Sequence, residues 1–286
     1  MHHRSLLGAI ALAAVWVSSV GAQVVDYSKY PDLRGQWDRR VVPGVRGQPS
    51  FDQTKSWGPE QQAPLTPEYQ AIFDASLADQ VNGGPGNNVD RARCAPSGMP
   101  HMMVAFRALE FVVTPERTYI LVGDQDQPRR IYTDGRDWPK QITPTYGGYS
   151  IGRWTDPDGD GRFSVLEVET RGFKGPRVFD SSGLPLHYDN QSVFKERIYL
   201  DKTNPNLLHD EVTTIDHALT RPWTVTKNYQ RNPYPKAEWR EWICGENNPH
   251  VVIGKDNYFL SGDGLLMPAR KDQAPPDMRY FNRARP

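Results

Sequence analysis

An antiparallel all-β barrel is the fold class that this sequence predicts, on three observations. Short stretches rich in β-branched and aromatic residues recur roughly every eight to fifteen residues from Phe106 onwards. Turn signals separate them, and no helical periodicity intervenes. The 25 prolines and 24 glycines supply many turns, while 13 tyrosines, 10 phenylalanines and 8 tryptophans suit pleated, half-buried surfaces.

Taken in order, the chain begins with a secretory pattern over 1–22: His2, His3 and Arg4, an apolar run from Leu6 to Val17, then small residues ending in Ala22. The run is too short for a comfortable membrane span, so the expectation is an exported, soluble chain, periplasmic or secreted, cleaved after Ala22. Residues 23–93 read as an irregular wrapping segment broken by Pro31, Pro43, Pro49, Pro59, Pro64 and Pro67. Within it, Leu33 to Trp37 reads as a short strand or an anchor. One short helix is expected, with Thr66 as N-cap, Pro67 at the first helical position and Tyr69, Ile72, Phe73 and Leu77 at helical spacing, stopping near Val81.

The body, 94–248, carries strand patterns at Phe106–Thr114, Thr118–Val122, Arg130–Thr133, Tyr149–Thr155, Phe163–Thr170, Val193–Leu200, Leu207–Ile215, Trp223–Tyr229 and Trp239–Ile243. An up-and-down barrel buries every edge and leaves an interior for a ligand; a two-sheet sandwich is the alternative closure. Residues 249–286 read as an extended tail packed on the barrel.

Charge narrows the partner class. The chain has 34 basic and 34 acidic residues, a balance that gives no electrostatic case for nucleic acid or an anionic membrane. The two cysteines, Cys94 and Cys244, suit a disulfide in an oxidising compartment, worth roughly 4 to 5 kcal/mol by loop entropy. Two buried thiols or a reactive cysteine are the other readings, without the Cys-x-x-Cys spacing of redox chemistry.

A series of motifs adds a resemblance. Cys94-x-Pro96-x-Gly98-Met99-Pro100, Ile131-Tyr-Thr-Asp-Gly-Arg136-x-x-Pro139, Ser150-Ile-Gly-x-Trp154 and Leu166-x-Val-Glu-Thr170-x-Gly-Phe173 are followed by Gly183-x-Pro185-x-His187, Glu196-Arg197, Thr220-Arg-Pro-Trp223 and Cys244-x-Glu246-Asn247-Asn248. The series, spanning about 91–248, is similar to a family of exported bacterial proteins. The resemblance implies a lipocalin-like β-barrel and no particular reaction. The chain departs from that pattern in an acidic insertion after Trp154 and in the spacing of Pro185 and His187.

Three constellations carry candidate chemistry. In the first, Arg130 and Tyr132 share one face of a strand that runs into Asp134-Gly135 and Arg136. Tyr132 is a candidate proton donor and Arg136 a fork for a carboxylate or enolate oxygen, with Trp154 lining the pocket. In the second, His187 and Asp189 face one way if their loop is extended, the Asp orienting a general base; His101 is the companion histidine. Glu169, on a strand running towards the presumed mouth, is a further candidate acid or base.

The third is a twelve-residue loop from Asp156 to Glu167 that matches a calcium loop: Asp156, Asp158 and Asp160 as side-chain donors, Arg162 through its carbonyl, and Glu167 closing. Any calcium there would be structural. A zinc site built from His101, His187, His209 and His250 is not expected, since no His-x-His or His-Glu-x-x-His spacing occurs.

These readings combine into an exported enzyme of the lyase, hydratase or isomerase type. It would act on a small, largely apolar organic substrate by acid–base chemistry, with no cofactor required. Tyr132, Arg136, His187 and Asp189 would be catalytic, and His101, Arg130, Trp154 and Glu169 would bind substrate. The rival reading is a binding or carrier protein for a hydrophobic small molecule, without turnover.

Overall fold

A computed structural model describes residues 25–40, 51–56, 58–88, 95–104, 108–123, 127–239, 250–261 and 265–276. The signal segment, Cys94 and Cys244 lie outside the described residues, as does most of the strand expected at Trp239–Ile243.

Nine strands close into a barrel in sequence order: β1 (Gln36–Arg39), β2 (Leu109–Val113), β3 (Arg117–Val122), β4 (Arg129–Tyr132), β5 (Tyr149–Thr155), β6 (Val165–Arg171), β7 (Val193–Leu200), β8 (Leu207–Ile215) and β9 (Trp223–Arg231). Eight of them fall where alternation placed them. The ninth, β1, comes from the segment expected to wrap. It closes the sheet by pairing Trp37 with Leu109 of β2 and with Arg231 of β9. Trp37 is 0% exposed and donates its indole N–H to Leu33 O at 3.0 Å.

The barrel is mixed. Eight neighbour pairs are antiparallel, but β4 runs parallel to β5, with Ile131 opposite Ser150 and Tyr132 opposite Ile151. A parallel pair needs a crossover, so the chain from Thr133 to Gly148 travels back outside the sheet. Gly152 allows the close approach here: a Cβ on it would sit 2.6 Å from Ile131 Cγ2.

Inside, the pleat alternates as a barrel requires. On β7, Phe194, Glu196 and Ile198 point inward and are buried, while Lys195 and Arg197 point out. Leu109, Ile120, Ile131, Leu166, Val168, Leu208, Val212, Val225 and Tyr229 complete the apolar lining. A cap covers the end where β5 begins and β6 ends. It is built from α1 (Pro67–Val81), the 3-10 turn His101–Val104 and the loops 172–192 and 216–222. α1 has the predicted bounds, and Thr66 accepts the Tyr69 N–H as N-cap. Its packed face carries Tyr69, Phe73 and Ser76; Ile72 and Leu77, predicted for that face, are exposed.

The tail is more regular than an extended strap. β10 (His250–Ile253), β11 (Asp256–Leu260) and β12 (Leu266–Pro268) form a three-stranded antiparallel sheet, after which Arg270 pairs with Asp79 of α1 at 3.3 Å. Among the described residues no helix is long and apolar enough to cross a membrane.

Candidate functional site

The barrel interior holds a cluster of charge that the apolar pattern conceals. Arg129 of β4 reaches across to Glu196 of β7: Nη1 donates to Oε1 at 2.8 Å, and Nη2 donates to Oε2 and to Thr170 Oγ1. Both side chains are almost wholly excluded from water. Burial opposes the guanidinium charge, but the carboxylate beside it wins and holds Arg129 protonated. Ser150 completes the polar arc through Thr170, at 2.8 Å.

On the strand next to Glu196, Asp210 of β8 is directly opposite Lys227 of β9, both facing inward. Asp210 is 0% exposed, and among the described residues neither of its carboxylate oxygens has a hydrogen-bond partner. Burial and the neighbouring Glu196 push its carboxyl well above the usual range, against the pull of Arg129 and Lys227. Burial pulls Lys227 down from 10.5 to about 7, although nearby carboxylates favour its charge; its amine donates to Phe51 O at 2.7 Å. Tyr229, two residues along β9, is held protonated by burial and gives its hydroxyl hydrogen to Met103 O. A buried carboxyl raised and a buried amine lowered bring two proton affinities towards each other.

Sequence reading missed this cluster. Arg129 was one residue from the strand face that was singled out, and Asp210, Lys227 and Tyr229 lie in strands read only for their apolar pattern. Lys227 interrupting the inward set Trp223, Val225 and Tyr229 was the available signal: a charge on a core face requires a partner or a purpose.

The expected site residues are placed in several locations. Tyr132 and Arg130 share one strand face, as expected, but that face is the outer one and not the barrel interior. Arg136 lies on the crossover, its guanidinium 3.9 Å from the Tyr132 ring centroid and its Nε and Nη2 held by Asp134. That pairing holds Asp134 down at about 2. Tyr132 stacks on Tyr149 at 4.9 Å. Arg136 and Glu169 line the same groove of about 620 Å³ outside β5–β8, with Arg153, Lys195 and Arg197. Its charges are matched across strands, Arg153 with Glu167, Lys195 with Glu169 and Arg197 with Glu211, and Glu169 also pairs along β6 with Arg171.

Trp154 faces the other way. Its indole N–H donates to Thr118 Oγ1 at 3.0 Å inside the barrel, and its ring meets Tyr30 edge-on at 5.5 Å. Tyr30 and Leu33, with Phe111, Val113 and Arg162, line a mostly apolar cleft of about 820 Å³. Tyr132 and Trp154 are therefore on opposite faces of the sheet.

His101 is buried in the cap, its Nε2 3.2 Å from Ser181 Oγ. His187 and Asp189 are together as predicted, with Nδ1 to Oδ1 at 2.8 Å. A third residue, His217, places its Nδ1 2.7 Å from Asp189 Oδ2. Burial pushes the Asp189 carboxyl up, but the donors Gln191 N–H, His217 and His187 outweigh it and hold it at about 2. His187 and Asp189 share no contact with Tyr132 and Arg136, so the four do not form one constellation.

In the acidic loop, Asp156 spends its oxygens on the N–H groups of Gly159, Asp160 and Gly161. Asp160 accepts from Arg162 N–H, Asp158 pairs with Lys202 at 2.8 Å, and Glu167 pairs with Arg153 on the outer face of β6. A calcium ion using these donors would have to draw Glu167 from Arg153 and Asp158 from Lys202.

No family model matches this chain, and no curated protein matches it.

Proposed function

We propose that this protein is an exported acid–base enzyme that works on a small, largely apolar organic molecule inside the barrel. The reaction is of the lyase, hydratase or isomerase type, and no cofactor takes part. The observation that carries the reading is Asp210: a fully buried carboxyl whose two oxygens have no hydrogen-bond partner among the described residues, set beside Lys227 in an apolar shell. An orphaned carboxyl of this kind costs stability and is best accounted for by a group that binds against it. Asp210, kept neutral by burial, donates the proton; Lys227, with its amine near 7, accepts one; Arg129 and Glu196 fix the field around them. This replaces Tyr132, Arg136, His187 and Asp189 as the catalytic set, because the first two lie outside the sheet and the second two on the cap.

The carrier reading has its own support in the apolar cleft of about 820 Å³ beside Tyr30 and Phe111. One experiment separates the two. Small molecules extracted from the natively purified protein are identified by mass spectrometry and then incubated with wild type and Asp210→Asn. Conversion that falls about 10²- to 10⁴-fold in the variant supports the enzyme. Binding without conversion by the wild type selects the carrier, and conversion untouched by Asp210→Asn sinks the assignment of the site.

A further inference from the structure

We infer that His187, Asp189 and His217 form a binding site for a divalent first-row transition-metal ion, zinc being the simplest occupant. Their donor atoms, two imidazole nitrogens and a carboxylate oxygen, all lie within 4.8 Å of one another. The site is on the cap and does not depend on the proposed chemistry of the barrel interior.

The backbone brings the three donors together and holds them. His187 and Asp189 sit on one turn, and His217 sits on the turn between β8 and β9. The His217 turn also fixes the other: Asp216 Oδ1 accepts the His187 N–H at 2.9 Å and the Ala218 N–H at 2.8 Å. On the opposite side, Tyr69 of α1 accepts the Tyr188 N–H at 3.2 Å, and its ring lies 5.1 Å from the His187 ring. Asp189 Oδ1 is oriented by the Gln191 N–H at 3.0 Å. Such outer contacts orient ligating side chains in metal sites generally.

The contacts on the His187 side favour a cation. Each imidazole turns Nδ1 towards one of the Asp189 carboxylate oxygens, at 2.8 Å for His187 and 2.7 Å for His217. An ordinary Nδ1–H donated to the carboxylate makes such an approach attractive, and so does a metal ion seated between nitrogen and oxygen. Two protons would serve, one on each Nδ1. On the His187 side, however, the Asp189 N–H also points at Nδ1 from 3.2 Å and asks that nitrogen for a lone pair. One divalent ion seated between the three donors answers both carboxylate contacts at once. Metal bonds of about 2.0 to 2.1 Å at tetrahedral angles hold donors roughly 3.3 Å apart, so each contact has to open by roughly half an ångström. The His217 ring, 68% exposed, is free to make that adjustment.

The donor set selects the metal. Nitrogen ligands disfavour calcium and magnesium, whereas two imidazoles and a carboxylate suit zinc, nickel, copper or ferrous iron. Three protein ligands leave a position for water. The partly exposed ring of His217 puts that position on the solvent side.

The test uses the untagged full chain, stripped with a chelator and titrated with Zn²⁺ by calorimetry and with Co²⁺ by visible absorption. The expected result is saturable binding of one ion per chain, with the intense d–d bands of low-coordinate cobalt. His217→Ala and Asp189→Asn should each weaken binding at least tenfold and abolish those bands. Asp156→Asn, in the acidic loop, should leave both signals unchanged. His217 is exposed enough for its variant to fold, which circular dichroism will check. Absence of saturable binding below millimolar metal, or binding that His217→Ala and Asp189→Asn leave intact, overturns the assignment. So does binding lost in Asp156→Asn.

Discussion

Two arginines on β4, adjacent in sequence, lead opposite lives. Arg129 is 4% exposed and locked on Glu196 inside the barrel, while Arg130 faces solvent. The same contrast holds between the clusters around them. Inside, Arg129, Glu196, Asp210 and Lys227 sit in a shell of Leu, Ile, Val and Phe side chains. Outside, Tyr132, Asp134, Arg136 and Tyr149 form a compact, well-connected group that water still reaches. Residue types and contact distances are alike in the two places; the surrounding medium differs. Charges excluded from water interact strongly and are expensive to leave alone, whereas exposed pairs are screened and worth little. Chemistry that depends on shifted proton affinities therefore belongs inside.

Breaking the inner pair should have the largest effect. Glu196→Gln leaves Arg129 buried without its counter-charge and should cost about 3 to 5 kcal/mol in urea unfolding. The double variant Arg129→Met, Glu196→Leu should recover most of that loss. If Glu196→Gln unfolds like wild type, the interior is wetter than its burial implies.

Lys227 gives the comparison a pH signature. The unfolded chain keeps this proton up to about pH 10.5, while the folded barrel releases it near 7. Between those values the unfolded state binds more protons, so stability rises with pH across the interval, and the penalty is fully present below pH 7. Relative to wild type, Lys227→Met should therefore look better at pH 6 than at pH 10, by an amount on the order of a few kcal/mol. Equal differences at the two pH values would mean that Lys227 stays charged in the fold.

Gly152→Ala sharpens the comparison at the β4–β5 junction that separates inside from outside. Its methyl would meet Ile131 Cγ2 at 2.6 Å and Glu167 O at 3.0 Å. Overpacking there should cost about 1 to 3 kcal/mol. At the far end of the scale, Arg136→Ala removes several contacts of the outer cluster and should leave the melting temperature unchanged within error. A marked drop would make the crossover structural.

Elements with strong local signals were legible in the sequence. The helix was, because Thr66 and Pro67 mark its start and Asn82-Gly83 follows its end. Strands β5, β7 and β8 were, because alternation over seven or more residues admits little else. β1 was harder: four residues in a proline-rich segment carry too little pattern to separate a stave from an anchor. The pairing of His187 with Asp189 was readable at a spacing of two. His217 was not, because it joins them only when the turn after β8 folds onto the cap.

The sequence by itself determined that this chain makes strands that alternate, turns that separate them, one capped helix and an interior to be lined with apolar side chains. Those are consequences of neighbours along the chain, where periodicity and backbone preference act. The tertiary structure alone decided which way β4 runs beside β5, and so which face of Arg129 to Tyr132 looks inward. It also decided which of the 68 charged residues lose water. A pattern of period two gives two faces without saying which is inside, and closure of the sheet makes that choice. Once the sheet has closed, the low dielectric of its interior raises the proton affinity of one aspartate and lowers that of the lysine opposite it.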